Sequence, residues 1–241
     1  MAEALLWGLL ATSSLVIGAL IALRWELSRS VVGLVMAFGS GVLIAAVAYE
    51  LVQEAFVAQD GGIWVALGLA AGALTFYAGD LWIDRMGGEH RKRMSEEKEG
   101  EAKAIVLGTV LDGIPENLVL GLGLITGGKV SASVLAAIFL SNLPESVGAS
   151  SGLRKAGWGK HHVLGLWVVV ALVTALAAPL GYGLFDGVSN EVLAFVLAFA
   201  GGSLLTMISD SMTPQAFEEG GPAAGLMTTL GFGLAFALTA M

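Results

Sequence analysis

Eight apolar runs follow one another along the chain, at about 4–23, 31–53, 62–83, 104–125, 131–152, 162–184, 190–213 and 222–240. Each is close to the about 20 residues that a helix needs to cross the hydrocarbon core of a bilayer. Polar residues collect in the linkers, which are short except for one of about 84–103. The pattern predicts an all-α integral membrane protein, a single transmembrane domain over 1–241 with eight membrane-spanning helices. An even number of crossings places both termini on the same side. The first run follows Glu3 rather than a basic cluster, and no small-residue cleavage site comes after it, so it reads as a span.

Composition agrees with the pattern. Only 13% of the residues are charged, against roughly a quarter in a soluble domain. The 34 glycines suit helices that pack through small residues in lipid. With no cysteine, disulfides and thiolate metal sites are excluded. The formal charge of −8 points to no partner, because several acids lie inside apolar runs. Nothing suggests nucleic acid, and no P-loop or dinucleotide fingerprint is present, which excludes an ATP-driven pump built from this chain alone.

The distribution of basic residues sets the orientation. Eleven of the twelve lie in the first, third and fifth linkers, and Lys129 alone lies in an even-numbered one. The odd linkers are therefore cytoplasmic and both termini extracytoplasmic, in a multi-pass protein of the cell (inner or plasma) membrane. The 84–103 segment then reads as a solvated cytoplasmic loop rather than a metal sensor, since His90 is its one imidazole.

Two segments repeat each other. Leu111-Asp112-Gly113-Ile114-Pro115-Glu116-Asn117 matches Leu140-Ser141-Asn142-Leu143-Pro144-Glu145-Ser146, and the run from Ala37 to Phe56 echoes that from Ala198 to Phe217. In both pairs the two helices cross in opposite directions. Inverted repeats that meet at discontinuous helices near the midplane are a transporter signature, here as a 3+2+3 bundle.

Glu116 and Glu145 fall halfway along their spans, where an ionised carboxylate costs several kcal/mol unless it faces a cavity, a partner or a cation. Asp112 precedes Glu116 by one helical turn, and Ser141 and Asn142 stand likewise before Glu145. Pro115 cannot donate to the carbonyl of Leu111, nor Pro144 to that of Leu140, so both positions are expected to kink their helices and free backbone oxygens. Asp112, Glu116, Glu145, Asn142 and Ser141 are thus the candidate metal ligands, an oxygen-rich set suited to a divalent cation. No Lys or Arg lies within either span to neutralise the acids.

At these residues the chain resembles the ZIP (Zrt/Irt-like) family of divalent-metal transporters, most specifically in its doubled Pro-Glu. Gly41-Val42-Leu43 through Glu50, and Gly202-Ser203-Leu204 through Asp210, are similar to the family's second and seventh helices. The resemblance implies eight spans, extracytoplasmic termini, a long loop after the third helix, and import into the cytoplasm. It also implies a metal position at Asp112, Glu116, Glu145 and Asn142, and pairing into a homodimer. The metal ion is cargo, and no cofactor is implied. Two departures matter. Asp112 stands where the family typically has a histidine, which shifts the expected preference toward harder cations such as Mn²⁺ while tolerating Fe²⁺ and Zn²⁺. The sixth span carries no acid for a second metal.

Asn117, Glu50, Glu54 and Asp210 are candidate pathway residues, with acids at a wet helix end as the plain alternative. Asp80, Asp84, His161 and His162 read as interfacial, and the six tryptophans as anchors at span ends. Two other functions stay open. One is an intramembrane hydrolase using paired carboxylates or a metal, with Ser141 as nucleophile. The other is a metal sensor that binds without transporting.

Overall fold

Glycine and other small residues decide how closely the helices approach. In the computed structural model, which describes residues 1–58, 62–83, 85, 99–126 and 128–239 (99–106 and 239 by backbone alone), backbones touch at most of the main interfaces. Helix α1 (Ala2–Arg24) is followed by α2 (Arg29–Ala46), whose first turn is capped by the Ser28 hydroxyl accepting from the Val31 amide. A π-helical segment (Val47–Val52) carries α2 into α3 (Gln53–Ala58). Next come α4 (Ile63–Ile83), α5 (Glu99–Thr126), α6 (Ala132–Lys155), and the pair α7 (Lys160–Ala175) and α8 (Ala177–Phe185). Helix α9 (Asn190–Met207) enters a second π-helical segment (Ile208–Met212) and then α10 (Thr213–Gly220). A 3₁₀ turn leads to α11 (Ala224–Thr239).

Seven helical runs among the described residues are long and apolar enough to cross a membrane. The last, Asn190–Leu238, has 49 residues, about 74 Å as a straight helix and more than twice the about 30 Å of hydrocarbon. It is broken at Gly221, whose φ of 66° is a left-handed conformation that glycine adopts without a Cβ clash. Pro222 follows. Helix α5 begins inside the segment expected to be loop, because an apolar run marks the hydrocarbon crossing and not where hydrogen bonding starts. Asp84, His90 and positions 86–98 lie outside the described residues.

Helix α2 lies against α11, α10 and α6, and α4 lies along α9. A Cβ on Gly41 would come within 1.9 Å of the Thr228 carbonyl oxygen, and one on Gly72 equally close to that of Phe199. At the same crossing the Ser203 hydroxyl donates to the Gly72 carbonyl at 3.2 Å. Gly39 of α2 faces the backbone of Leu140 and Ser141 in α6, which brings α2 to the helix that carries half of the candidate site. Such contacts supply the dispersion and close approach on which helix association in lipid rests.

Three features depart from the sequence-based expectation. Both α5 and α6 run on as α-helix through Pro115 and Pro144. The irregular backbone sits instead in the second and last runs, where the π segments start at Val47 and Ile208, each ten residues after the alanine that opens its repeat, Ala37 or Ala198. A break also falls at Leu176, three residues before Pro179, whose missing N–H cannot serve the Ala175 carbonyl. Trp167 is fully buried with Leu15, Leu153 and Val163, not anchored at an interface. Its position in α7 turns it toward α1 and α6, and the core takes it. His161 and His162 are exposed at the start of α7, and Asp80 is half-buried near the end of α4.

Valine at Gly72 is expected to lower the thermal midpoint in detergent, with an overpacking penalty of about 1–3 kcal/mol. Gly165→Ala, at a helical position with nothing within 4 Å, should be neutral or stabilising by up to about 1 kcal/mol. Equal midpoints for the two variants would show that the α4–α9 contact is not as close as described.

Candidate metal site

Helices α5 and α6 build the site, each presenting one turn of polar side chains within an otherwise apolar stretch. On α5, Asp112, Glu116 and Asn117 are buried, with exposures of 2%, 1% and 0%. On α6, Ser141 and Asn142 are buried and Glu145 is half-buried. The i, i+4 spacing of Asp112 and Glu116 and of Ser141 and Glu145 puts each pair on one helical face. The faces meet: the Ser141 hydroxyl lies 2.8 Å from Glu116 Oε1. Glu116 also feels the charges of Glu145 and Asp112, and Asn142 is buried beside Ser141 on α6 with its amide nitrogen unpartnered. The residues singled out in the two Pro-Glu segments therefore form one cluster around Glu116.

The hydrogen bonding is incomplete. The Ser141 hydroxyl has two acceptors, Glu116 Oε1 and the Ile138 carbonyl at 2.9 Å, and a single proton to give. Glu116 Oε2 is buried with no hydrogen-bond partner. The Asn117 amide donates to the Gly113 carbonyl at 2.9 Å, and its own buried oxygen is left without a donor. The Asn142 amide nitrogen is likewise buried without an acceptor. Buried polar atoms in that condition cost about 1–3 kcal/mol each, and the cluster leaves two oxygens and one amide donor unmatched.

Sequence reasoning missed Thr109. Its hydroxyl, 1% exposed, donates to Glu145 Oε1 at 2.8 Å. It lies three residues before Asp112 and seven before Glu116, on the same face, and that spacing was the available signal. Gly113 packs under Thr174 of α7: a Cβ there would approach the threonine methyl to 2.8 Å. The Thr174 hydroxyl is turned to its own helix, donating to the Val170 carbonyl at 2.9 Å.

A cavity of about 590 Å³ opens at the far ends of α5 and α6, lined among others by Glu50, Glu54, Thr126, Lys129 and Ser131. Ser131 donates to Glu50 Oε1 at 2.9 Å. Val119 and Leu120 also line it, about one turn past Glu116, and with Leu51 and Leu197 they are nearly fully buried. An apolar layer thus stands between cavity and carboxylates. Glu50 and Glu54 belong to this cavity and not to the cluster. Asp210 is exposed and lines neither.

Among the described residues, no three His, Asp or Glu side chains converge as an ion cage. Thr109 and Ser141 hold Glu145 and Glu116 to separate hydroxyls, which accounts for the spread. For hydrolysis, Ser141 lacks a neighbouring imidazole: the described histidines, His161 and His162, are exposed at the start of α7.

Comparison with known proteins places these helices in context. No family model matches the chain. The zinc transporter GufA of Myxococcus xanthus is 31% identical over 255 aligned positions, covering 99% of this chain and 97% of that protein. Zinc transporter ZIP13 of Pongo abelii is 27% identical over 178 residues, 71% of this chain and 50% of its own length. A longer Arabidopsis thaliana protein is 27% identical over 204 residues, 82% of this chain. The chain spans about a third of that plant protein and half of the orangutan one, but nearly all of the bacterial one.

A double-mutant cycle tests the contact between the two faces. Ser141→Ala and Glu116→Gln should be non-additive in unfolding free energy, with a coupling of about 0.5–3 kcal/mol. Strict additivity would mean that Ser141 does not serve Glu116.

Proposed function

The chain belongs to the ZIP family of divalent-metal transporters, and we propose that it carries a divalent cation across the bilayer through the cluster of Asp112, Glu116 and Glu145, assisted by Asn142 and Ser141. The observation that carries this reading is the buried cluster itself: like-charged carboxylates around Glu116, unsatisfied acceptor oxygens, and no Lys or Arg within the apolar stretch of either helix. A divalent ion supplies the missing positive charge and takes up the spare lone pairs. The relatives are named as zinc transporters. An all-oxygen site accepts Zn²⁺, and it suits Mn²⁺ and Fe²⁺ as well.

Loading requires Glu116 and Glu145 to leave Ser141 and Thr109 and close on one ion, which replaces its hydration shell with carboxylate, amide and hydroxyl oxygens. The metal then replaces each hydroxyl as the carboxylate's partner and also engages the Glu116 oxygen that has none. The cavity lined by Glu50 and Glu54 serves as the entrance, its carboxylates raising the local cation concentration. The layer of Leu51, Val119, Leu120 and Leu197 is the closed barrier beneath it. Movement of the two π-containing runs against the rest opens the route alternately to each side.

In this reading the 49-residue run counts as two spans, which makes eight in a 3+2+3 arrangement. Both ends lie on the face away from the basic linkers, Met1 against Gly183 and Leu238 beside Lys129 in the cavity wall. That supports extracytoplasmic termini, and transport runs inward across the plasma membrane from the cavity side.

Uptake into proteoliposomes tests the proposal. Wild type should accumulate at least one of Mn²⁺, Fe²⁺ and Zn²⁺, and Glu116→Ala/Glu145→Ala should reduce flux to the level of empty vesicles. Flux in the double variant equal to wild type would overturn the site, and none in folded wild type would overturn transport. Glu50→Gln/Glu54→Gln should raise KM severalfold and leave kcat within about twofold, as loss of attraction without loss of the transport site predicts. Asp112→His should move preference toward Zn²⁺.

A further inference from the structure

Positive charge on the opposite face is gathered and not merely distributed. The ends of α1 and α6, the start of α7 and the α1–α2 linker enclose a cavity of about 580 Å³ lined by Arg24, Arg29, Arg154, Lys155 and Lys160. One carboxylate, Glu26, lines the same cavity, and Glu219 acts on Arg29 from α10. Retention of basic residues on one side of a membrane explains their side. It does not explain why those of two linkers distant in sequence share one pocket, where five cations outnumber Glu26 and Glu219 and their repulsion favours a further anion.

The pocket is shaped to hold one. Arg154 is fixed by donating its guanidinium to the Trp158 carbonyl, which ties the end of α6 to the turn before α7. Helix α7 starts at Lys160 with no side-chain cap on its first amides, so its positive end adds to the five cations. The volume falls in the range of small-molecule sites.

The remaining wall identifies the source of the anion. Ala22, Leu23, Trp25 and Leu27 line the pocket, and Trp25 is 61% exposed at the end of α1. Leu20 and Ile17 continue an exposed apolar face along the same helix. A free phosphate gains nothing from this apolar side, whereas a lipid lays its acyl chains along it with its head group among the cations. We propose that this cavity binds the head group of an anionic phospholipid, with the phosphate held by Arg24, Arg154, Lys155 and Lys160 and the glycerol and upper acyl chains against Trp25 and Leu27.

The full-length protein, metal-free in a neutral detergent, is titrated with dioctanoyl phosphatidylglycerol, dioctanoyl phosphatidylcholine or inorganic phosphate, and binding is read by native mass spectrometry and by the thermal midpoint. Phosphatidylglycerol should bind and stabilise, with the other two at least tenfold weaker. Arg154→Gln/Lys160→Gln should weaken phosphatidylglycerol about tenfold or more, and Lys129→Gln, the same loss of charge on the other face, should leave it within twofold. If the double variant does not fold, Lys155→Gln alone should weaken binding severalfold. Equal binding of phosphatidylcholine, or an unaffected pocket variant, overturns the proposal. Inorganic phosphate matching the lipid also overturns it, in favour of a soluble anion. Because no metal is present, the result stands apart from the transport assay.

Discussion

Carboxylates in a medium that cannot solvate them are the constraint on which the rest of this molecule depends. Asp112, Glu116 and Glu145 sit where hydrocarbon lies on the outside of the bundle, and no basic side chain shares the apolar parts of their helices. Charge in that position is tolerated only if other helices wall it off from lipid and provide donors. Thr109 and Ser141 provide them, each to a carboxylate on the neighbouring helix. The supply is incomplete, since Glu116 Oε2 is left without a donor, and on the proposed reading a cation fills that place.

Walling off the site requires tight packing around α5 and α6, and the small residues supply it. Gly39 lets α2 approach α6 beside Ser141, Gly113 lets Thr174 of α7 approach α5 beside Asp112, and Gly121 lets α8 lie on the far half of α5. Three neighbouring elements thus close on the two acidic helices through contacts that a single Cβ would disturb. The price is little slack in the side-chain packing, so movement has to come from whole elements. The π segments at Val47–Val52 and Ile208–Met212 occur at equivalent places in the repeated runs, and π geometry inside α-helices is frequent at functional sites because it loosens the regular ladder.

The two faces of the protein divide the electrostatics. Acids lead into the Glu50–Glu54 cavity on one face, while five cations crowd a second cavity on the other. A cation attracted at the first and released at the second would move toward repulsion at its exit. An anionic lipid bound there as proposed would neutralise the basic cavity and remove that opposition.

Much of this was legible in the residues alone, for one reason: lipid penalises polar groups so heavily that apolar runs, basic linkers and buried acids are nearly forced to mean what they suggest. The all-helical membrane class and the meeting of the two Pro-Glu segments, where Ser141 reaches Glu116, follow from spacing and charge. Interactions between helices are not written in spacing. That Thr109 serves Glu145, that Glu50 and Glu54 share a cavity apart from the cluster, that Trp167 is core, and that the prolines leave α5 and α6 continuous while the second and last runs become irregular all depend on which helix faces which. Those choices were settled by close contacts between backbones distant in sequence, and only the folded structure contains them.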